Sequence, residues 1–162
     1  MDKLTINELK WYLGTGLKFQ LTIDRTEDFC TEDWYSEDKF KKGAIWELIG
    51  IVQAKDLNIP LGEGYLDGFL FKNDLTYCNF NNGIKPLLYN LSSLTEYRED
   101  LGFVPMDNIK ESQRHLFFRE DLENPINGLD YSEMQKLLSW NFDCFNLIYR
   151  NLAINIKTLK DE

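Results

Sequence analysis

The sequence predicts an α+β fold in a single domain, residues 1–162, with a mostly antiparallel β-sheet between a short N-terminal helix and a long C-terminal amphipathic helix. Two observations carry this prediction. Strand signals, such as the apolar and polar alternation of Leu17–Ile23, fill much of the first part of the chain, and apolar residues near the end recur every three or four positions. The 162 residues, 43 % of them hydrophobic, suffice for one core, and no linker rich in Gly, Pro or Ser divides them.

The first elements have clear local signals. Thr5 and Glu8 have the spacing of a capping box, which predicts a short helix beginning there. Apolar residues at every second position of Leu17–Ile23 predict a strand, and the β-branched and aromatic content of Gly43–Gln53 favours another, although a buried helical piece is an alternative for part of it.

The middle of the chain is predicted to form further strands. Tyr65–Phe80 reads as strands separated by turns, and Asn82-Gly83 is a typical type I′ hairpin signal. Ile84–Leu91 would then be the returning strand of that hairpin. Pro86 predicts that this strand lies at an edge of the sheet or starts irregularly, because proline cannot donate a ladder hydrogen bond.

The last element is predicted to be an amphipathic helix of about five turns, capped at Asp130 or Ser132. A short terminal strand over Leu152–Ile156 would follow. The apolar face of the predicted helix consists of Met134, Leu137, Leu138, Phe145, Ile148 and Leu152.

Composition favours a cytoplasmic protein. Cys30, Cys78 and Cys144 are odd in number and far apart, which is typical of a reducing compartment, and neither a signal peptide nor a membrane span is expected. Eighteen basic and 27 acidic residues give a net charge of −9. This charge disfavours direct nucleic-acid binding and would attract a partner with a basic surface.

Residues 24–38, the acidic segment, carry seven acidic side chains against one base, Arg25, with aromatic residues among them. A solvated loop is one interpretation. The other is a partner-binding surface in which apolar anchors sit in an acidic surround. The predicted partner-binding residues are Asp28, Glu32, Asp33, Trp34, Tyr35, Glu37 and Asp38.

No catalytic constellation emerges from the residues. His115 is the only histidine, with no local partners for a triad, and Cys144 is expected in the core. The glycines around Thr15 and Glu63 match neither phosphate-loop nor dinucleotide-binding patterns. We therefore expect a non-enzymatic protein without cofactor or metal, the alternative being a metal-dependent nuclease that uses the clustered acids.

Two patches combine bases with aromatic rings, which is typical of single-stranded RNA binding. They suggest a small RNA-binding module as a further alternative. The possible RNA contacts are Lys39, Lys41, Lys42, Arg114, Phe118 and Arg119.

Four stretches resemble a family of small phage and prophage proteins without known activity. Residues 9–19 read LKWYLGTGLKF, residues 85–95 read KPLLYNLSSLT, residues 103–105 read FVP, and residues 138–155 begin LSWNFDCFNLI and end LAIN. The chain departs from that family at Asn141, where the family usually has His, and at Asn151, where it has Gly. Asn at the second position is consistent with a helix C-cap, because Asn tolerates the left-handed conformation.

The resemblance implies a phage-borne protein that interferes with its host. The leading hypothesis is an anti-CRISPR type inhibitor that docks on the basic surface of a host nucleic-acid-handling defence protein, such as an RNA-guided nuclease. The acidic segment would imitate a phosphate backbone, with Trp34 and Tyr35 as anchors. A phage-encoded nuclease or replication accessory remains the second hypothesis.

Overall fold

The computed structural model of the chain describes residues 4–24, 41–52, 68–71, 78–79, 83–118 and 125–159. Three short α-helices lie in these ranges, α1 (Ile6–Leu9), α2 (Glu111–Arg114) and α3 (Tyr131–Ser139). The strands are β1 (Lys18–Leu21), β2 (Ile45–Val52), β3 (Gly68–Phe71), β4 (Cys78–Asn79), β5 (Ile84–Leu88) and β6 (Ile154–Asn155). The 3₁₀ helices are Lys10–Tyr12, Leu91–Thr95, Pro105–Asn108, His115–Phe118, Pro125–Gly128 and Ile156–Leu159.

The fold is α+β, built on one mixed sheet with the strand order β4-β3-β2-β1-β5-β6. The pairs from β4 to β5 are antiparallel, whereas β6 runs parallel to β5, with Leu87 opposite Ile154. The prediction of a mostly antiparallel sheet is therefore corrected to a mixed one. A parallel neighbour requires a long crossover, and the chain from β5 to β6 supplies it by passing through α2 and α3.

The N-terminal helix and the predicted strand positions are confirmed. Thr5 N donates to Glu8 Oε2 at 2.8 Å and Glu8 N donates to Thr5 Oγ1 at 3.4 Å, so the capping box forms. β1 and β2 lie inside the predicted ranges Leu17–Ile23 and Gly43–Gln53, and β6 lies inside Leu152–Ile156.

The predicted hairpin is wrong, because β5 pairs with β1 and β6 rather than with β4. Asn82 lies outside the described residues. Gly83 has the positive φ expected of a turn, 71°, and a Cβ there would come within 2.3 Å of Ile23 Cγ1. The glycine therefore permits the close approach of β1 and β5, which the two-residue turn pattern could not reveal.

Pro86 belongs to β5, which lies between β1 and β6 in the strand order, so the edge position, one of the two predicted alternatives, is wrong. Thr22 N donates to Gly83 O at 2.6 Å, and Phe19 stands opposite Pro86 three residues along each strand. Because antiparallel pairs alternate between bonded and non-bonded positions, Pro86 occupies a non-bonded position towards β1. Its missing N–H consequently removes no bond from that pair.

The long C-terminal helix is also wrong, since α3 has nine residues and ends at Ser139. Asn141, Asn146 and Asn151 have positive φ values of 58°, 55° and 58°, which a continuous helix cannot contain. After α3, Asn141 N donates to Leu138 O at 2.9 Å and Phe142 N to Leu137 O at 2.9 Å, the two bonds of a Schellman motif.

The same paired bonds recur at Asn151, which has the left-handed conformation expected of a C-cap but closes a turn, since no helix ends there. Asn151 N donates to Ile148 O at 3.0 Å, and Leu152 N donates to Leu147 O at 2.8 Å. Apolar residues at helical spacing thus line three successive turns rather than one helix.

The core lies on one face of the sheet. β1 turns Phe19 and Leu21 towards it and Lys18 towards solvent, while Ile45 and Ile49 of β2 are about half exposed. No helix in the described part of the chain is long and apolar enough to cross a membrane. The core consists mainly of Leu9, Tyr12, Leu17, Phe19, Leu21, Ile84, Leu88, Leu137, Leu138, Phe142 and Leu147.

Candidate functional site

The acidic segment belongs to the 23-residue connection from Thr22 to Ala44, which joins the adjacent antiparallel strands β1 and β2. Its two ends are held together. Leu21 N donates to Ala44 O at 2.9 Å, and Gly43 N donates to Leu21 O at 2.8 Å. Lys42 N then donates to the carboxylate of Asp24, the first residue of the acidic segment, at 2.7 Å.

The rest of the acidic segment lies outside the described residues, so its side chains stay sequence predictions. The same holds for Lys39 and Arg119 of the two basic patches. The predicted partner-binding residues concerned are Asp28, Glu32, Asp33, Trp34, Tyr35, Glu37 and Asp38.

The described members of the basic patches have different environments. Lys41 and Lys42 are exposed where the connection returns to β2, and Phe118 is largely exposed. The half-buried guanidinium of Arg114 donates to two backbone carbonyls, from Nε to Ile109 O at 2.9 Å and from Nη2 to Asp107 O at 2.8 Å. Arg114 therefore ties the end of the 3₁₀ helix Pro105–Asn108 to α2.

The residues considered for catalysis have structural surroundings. His115 is exposed, and Cys144 is buried as predicted, although in a turn and not within a helix. Burial raises the pKa of the Cys144 thiol, so the reactive thiolate is disfavoured. Within the described ranges, no group of three His, Cys, Asp or Glu side chains is placed to hold a metal ion.

A buried tyrosine fixes the turn that contains Cys144. The Tyr12 hydroxyl donates to Phe142 O at 2.7 Å and accepts from Cys144 N at 3.1 Å. Burial is the main reason that the pKa of Tyr12 lies well above its ordinary value. The hydroxyl therefore stays protonated and connects the 3₁₀ helix Lys10–Tyr12 to the chain after α3.

A cleft of about 710 Å³ lies around Arg98, at residues that the sequence did not mark as a site; it is called the Arg98 cleft below. The Arg98 side chain is 5 % exposed and forms a two-bond ion pair with Asp100, with Nε at 2.8 Å from Oδ1. Its Nη1 donates to Trp140 O at 2.9 Å, and its guanidinium carbon lies 3.3 Å from the centre of the Tyr89 ring. Hydrogen bonds and ring stacking thus fix this cation at the base of the cleft.

The rim of the Arg98 cleft is more acidic than basic. Glu96 forms an ion pair with Lys157, Tyr97 is 64 % exposed, and Glu99 is exposed. The described lining therefore holds three carboxylates and two cations. Residues 96–100 show no helical or strand periodicity, and Lys157 is distant in the chain, so no local sequence signal identifies this cleft.

Comparisons with protein-family models, with curated proteins and with solved structures found no match. They give no support to the resemblance with phage and prophage proteins, which stays a prediction. The function is consequently inferred from the residues of this chain.

Proposed function

We propose that this chain is a non-enzymatic binding protein whose acidic segment docks on a host protein with a basic nucleic-acid-binding surface, such as an RNA-guided nuclease. The acidic segment would compete with nucleic acid for that surface and so inhibit the partner. Seven acidic side chains within residues 24–38 supply the charge, and the net charge of −9 adds long-range attraction to a basic partner.

The observation that carries the proposal is the way β1 and β2 hold both ends of the connection. Adjacent antiparallel strands need only about two to five linking residues, whereas 23 are present here. Long connections on a rigid scaffold commonly carry binding residues. The backbone bonds around Leu21 and the bond from Lys42 to Asp24 keep the two ends of this connection close together at one place on the sheet.

Charge and aromatic residues would contribute differently to docking. Carboxylates opposite a basic groove increase the association rate and make affinity fall with added salt. Trp34 and Tyr35 would supply the buried anchors that hold a complex together, since such residues dominate interface energies. The expected complex therefore depends on both salt concentration and these two rings.

Two matched variants test the proposal. Glu37→Lys with Asp38→Lys reverses two charges of the acidic segment, and Asp107→Lys with Glu111→Lys reverses two exposed charges elsewhere. Both variants change the net charge from −9 to −5, so nonspecific electrostatic effects are matched. Tagged wild type and variants are used to capture partners from a bacterial extract with and without nuclease treatment, and the affinity for the identified partner is then measured.

We expect one stoichiometric partner with a nucleic-acid-binding surface, captured by wild type and the control variant. The acidic-segment variant should bind it at least about tenfold more weakly, and wild-type affinity should fall between about 50 and about 200 mM salt. Equal weakening by both variants, or affinity that is independent of salt, would contradict docking through the acidic segment. A partner lost on nuclease treatment would instead favour a shared nucleic acid.

A further inference from the structure

We propose that the Arg98 cleft binds an arginine side chain presented by a protein partner, with the incoming guanidinium paired to Glu99 and stacked on Tyr97. The residues that line this cleft lie outside the acidic segment in the sequence, and the proposal does not depend on the function proposed above. The cleft would bind a basic peptide segment rather than a folded nucleic-acid-binding groove.

The base of the cleft does not attract anions, because the charge of Arg98 is already compensated. Asp100 accepts from both Nε and Nη2, Trp140 O accepts from Nη1, and Tyr89 covers one face of the guanidinium. These partners and an exposure of 5 % hold the Arg98 side chain in one position, so it forms part of the cleft wall and is not free to bind a ligand. The charges that a ligand meets are therefore those of the rim.

On the described part of the rim, Glu99 carries a negative charge that no described cation pairs with. Glu96 is occupied by Lys157, and Asp100 holds Arg98. Among the described residues, Glu99 has no hydrogen-bond or ion-pair partner, and it is exposed on the cleft. Within the described lining, Glu96 pairs with Lys157 and Asp100 with Arg98, so Glu99 adds a negative charge that favours a cationic ligand.

Tyr97 makes an arginine the better fit. Tyr97 is 64 % exposed, lines the same cleft as Glu99, and has no ring or cation contact among the described residues. Guanidinium groups are planar, less strongly hydrated than ammonium groups, and able to stack on an aromatic face while pairing with a carboxylate. Lysine offers a more strongly hydrated point charge that cannot stack flat on the ring.

The size of the cleft favours a peptide over a free small cation. A volume of about 710 Å³ exceeds what one side chain fills, which leaves room for the flanking residues of an extended chain. The walls are stable because Arg98 N donates to Phe103 O at 3.1 Å and Gly102 N donates to Arg98 O at 2.8 Å, which closes the turn that presents Glu99. The backbone that carries Glu99 is therefore ordered before a ligand arrives.

The test is a titration of the full chain, followed by amide chemical shifts, with the peptide acetyl-Gly-Arg-Arg-Gly-amide. We expect saturable shifts centred on residues 96–100 and on Lys157. Glu99→Gln should weaken binding about three- to fivefold, and Tyr97→Leu by about threefold, since both contacts are partly exposed to solvent. The lysine peptide should bind more weakly, and the uncharged citrulline peptide should produce no saturable shifts.

Glu111→Gln is the matched control, because it removes an exposed carboxylate outside the cleft with the same change in charge. Equal weakening by Glu99→Gln and Glu111→Gln, or equal binding of the citrulline peptide, would overturn the proposal. The variant Glu37→Lys with Asp38→Lys separates the two sites. Peptide binding that survives in it supports the cleft, whereas binding lost there but kept in Glu99→Gln places the peptide on the acidic segment.

Discussion

The β1–β2 pair and the C-terminal segment, here residues 131–153, are stabilised in different ways. β1 and β2 bond to each other through backbone ladders, with Phe19 opposite Trp46. In the C-terminal segment, many backbone groups are bonded by side chains instead, including the Asp143 carboxylate and the Tyr12 hydroxyl. Single substitutions should therefore damage the C-terminal segment far more than the β1–β2 pair.

Asp143 shows the difference most clearly. Its carboxylate is nearly buried and accepts from three backbone N–H groups, those of Phe145 at 3.3 Å, Leu147 at 2.8 Å and Ile148 at 2.7 Å. Asp24, in the connection after β1, is exposed and accepts one backbone bond, from Lys42. The two aspartates have similar chemistry, but only Asp143 satisfies buried donors.

The largest expected effect follows from that contrast. Asp143→Ala should lower the free energy of unfolding by about 3 to 5 kcal/mol, because it leaves buried donors without acceptors. Asp24→Ala should cost less than about 1 kcal/mol, since water replaces the lost acceptor. Urea unfolding followed by tryptophan fluorescence measures both values.

Asp143→Asn serves as a control in case Asp143→Ala does not fold. Its amide keeps one acceptor oxygen of nearly the same shape, so the loss should lie between those of the other two variants. A loss for Asp143→Ala no larger than that for Asp24→Ala would show that side-chain bonding does not distinguish the two regions.

The stabilisation that Glu133 gives to the C-terminal segment should depend on pH. Burial raises the pKa of this carboxyl, but the bonds from Lys110 N and the Lys136 ammonium outweigh burial, so the pKa lies below its ordinary value of 4.5. A lowered pKa in the folded state gives stability that is present above the ordinary value and is lost as the pH falls through the folded value. The charged Glu133 should therefore stabilise α3 at neutral pH and lose this contribution in acid.

Glu133→Gln makes this pH dependence measurable. The difference in unfolding free energy between wild type and this variant should be largest above pH 4.5 and should shrink as the pH falls below it. Because both proteins share every other titrating group, those contributions cancel. A difference that stays constant down to about pH 3 would mean that the bonds to Glu133 do not depend on its charge.

The strands could be predicted from the sequence because their signal is local. The alternation in Leu17–Ile23 and the β-branched content of Gly43–Gln53 place β1 and β2 within a few residues. The pairing of the strands could not be predicted in the same way. β5 pairs with β1 and not with β4, and the packing of Ile23 against Gly83 that accompanies this pairing is visible only in the structure.

The prediction of one long helix in the C-terminal segment was wrong for a related reason. The apolar residues have the spacing of a five-turn helix, and a single asparagine does not exclude a helix. The bonds that stabilise the left-handed conformation at Asn141 and Asn151 become visible only when backbone geometry is known. The Arg98 cleft has the same limitation, since Tyr89, Arg98 and Lys157 are brought together by tertiary packing.

Substitutions of Asn146 should have the smallest effect on stability, and they test directly whether the left-handed backbone conformation stabilises the C-terminal segment. It has a φ of 55°, and its side chain makes no hydrogen bond among the described residues, so substitutions there isolate backbone conformation. Asn146→Ala should lower the free energy of unfolding by about 1 kcal/mol, because a Cβ without a polar group disfavours the left-handed region. Asn146→Gly should cost less than half as much, since glycine adopts this conformation freely. Equal losses, measured by urea unfolding, would indicate that the asparagine side chain itself matters, and a loss confined to glycine would show that the backbone there is not held left-handed.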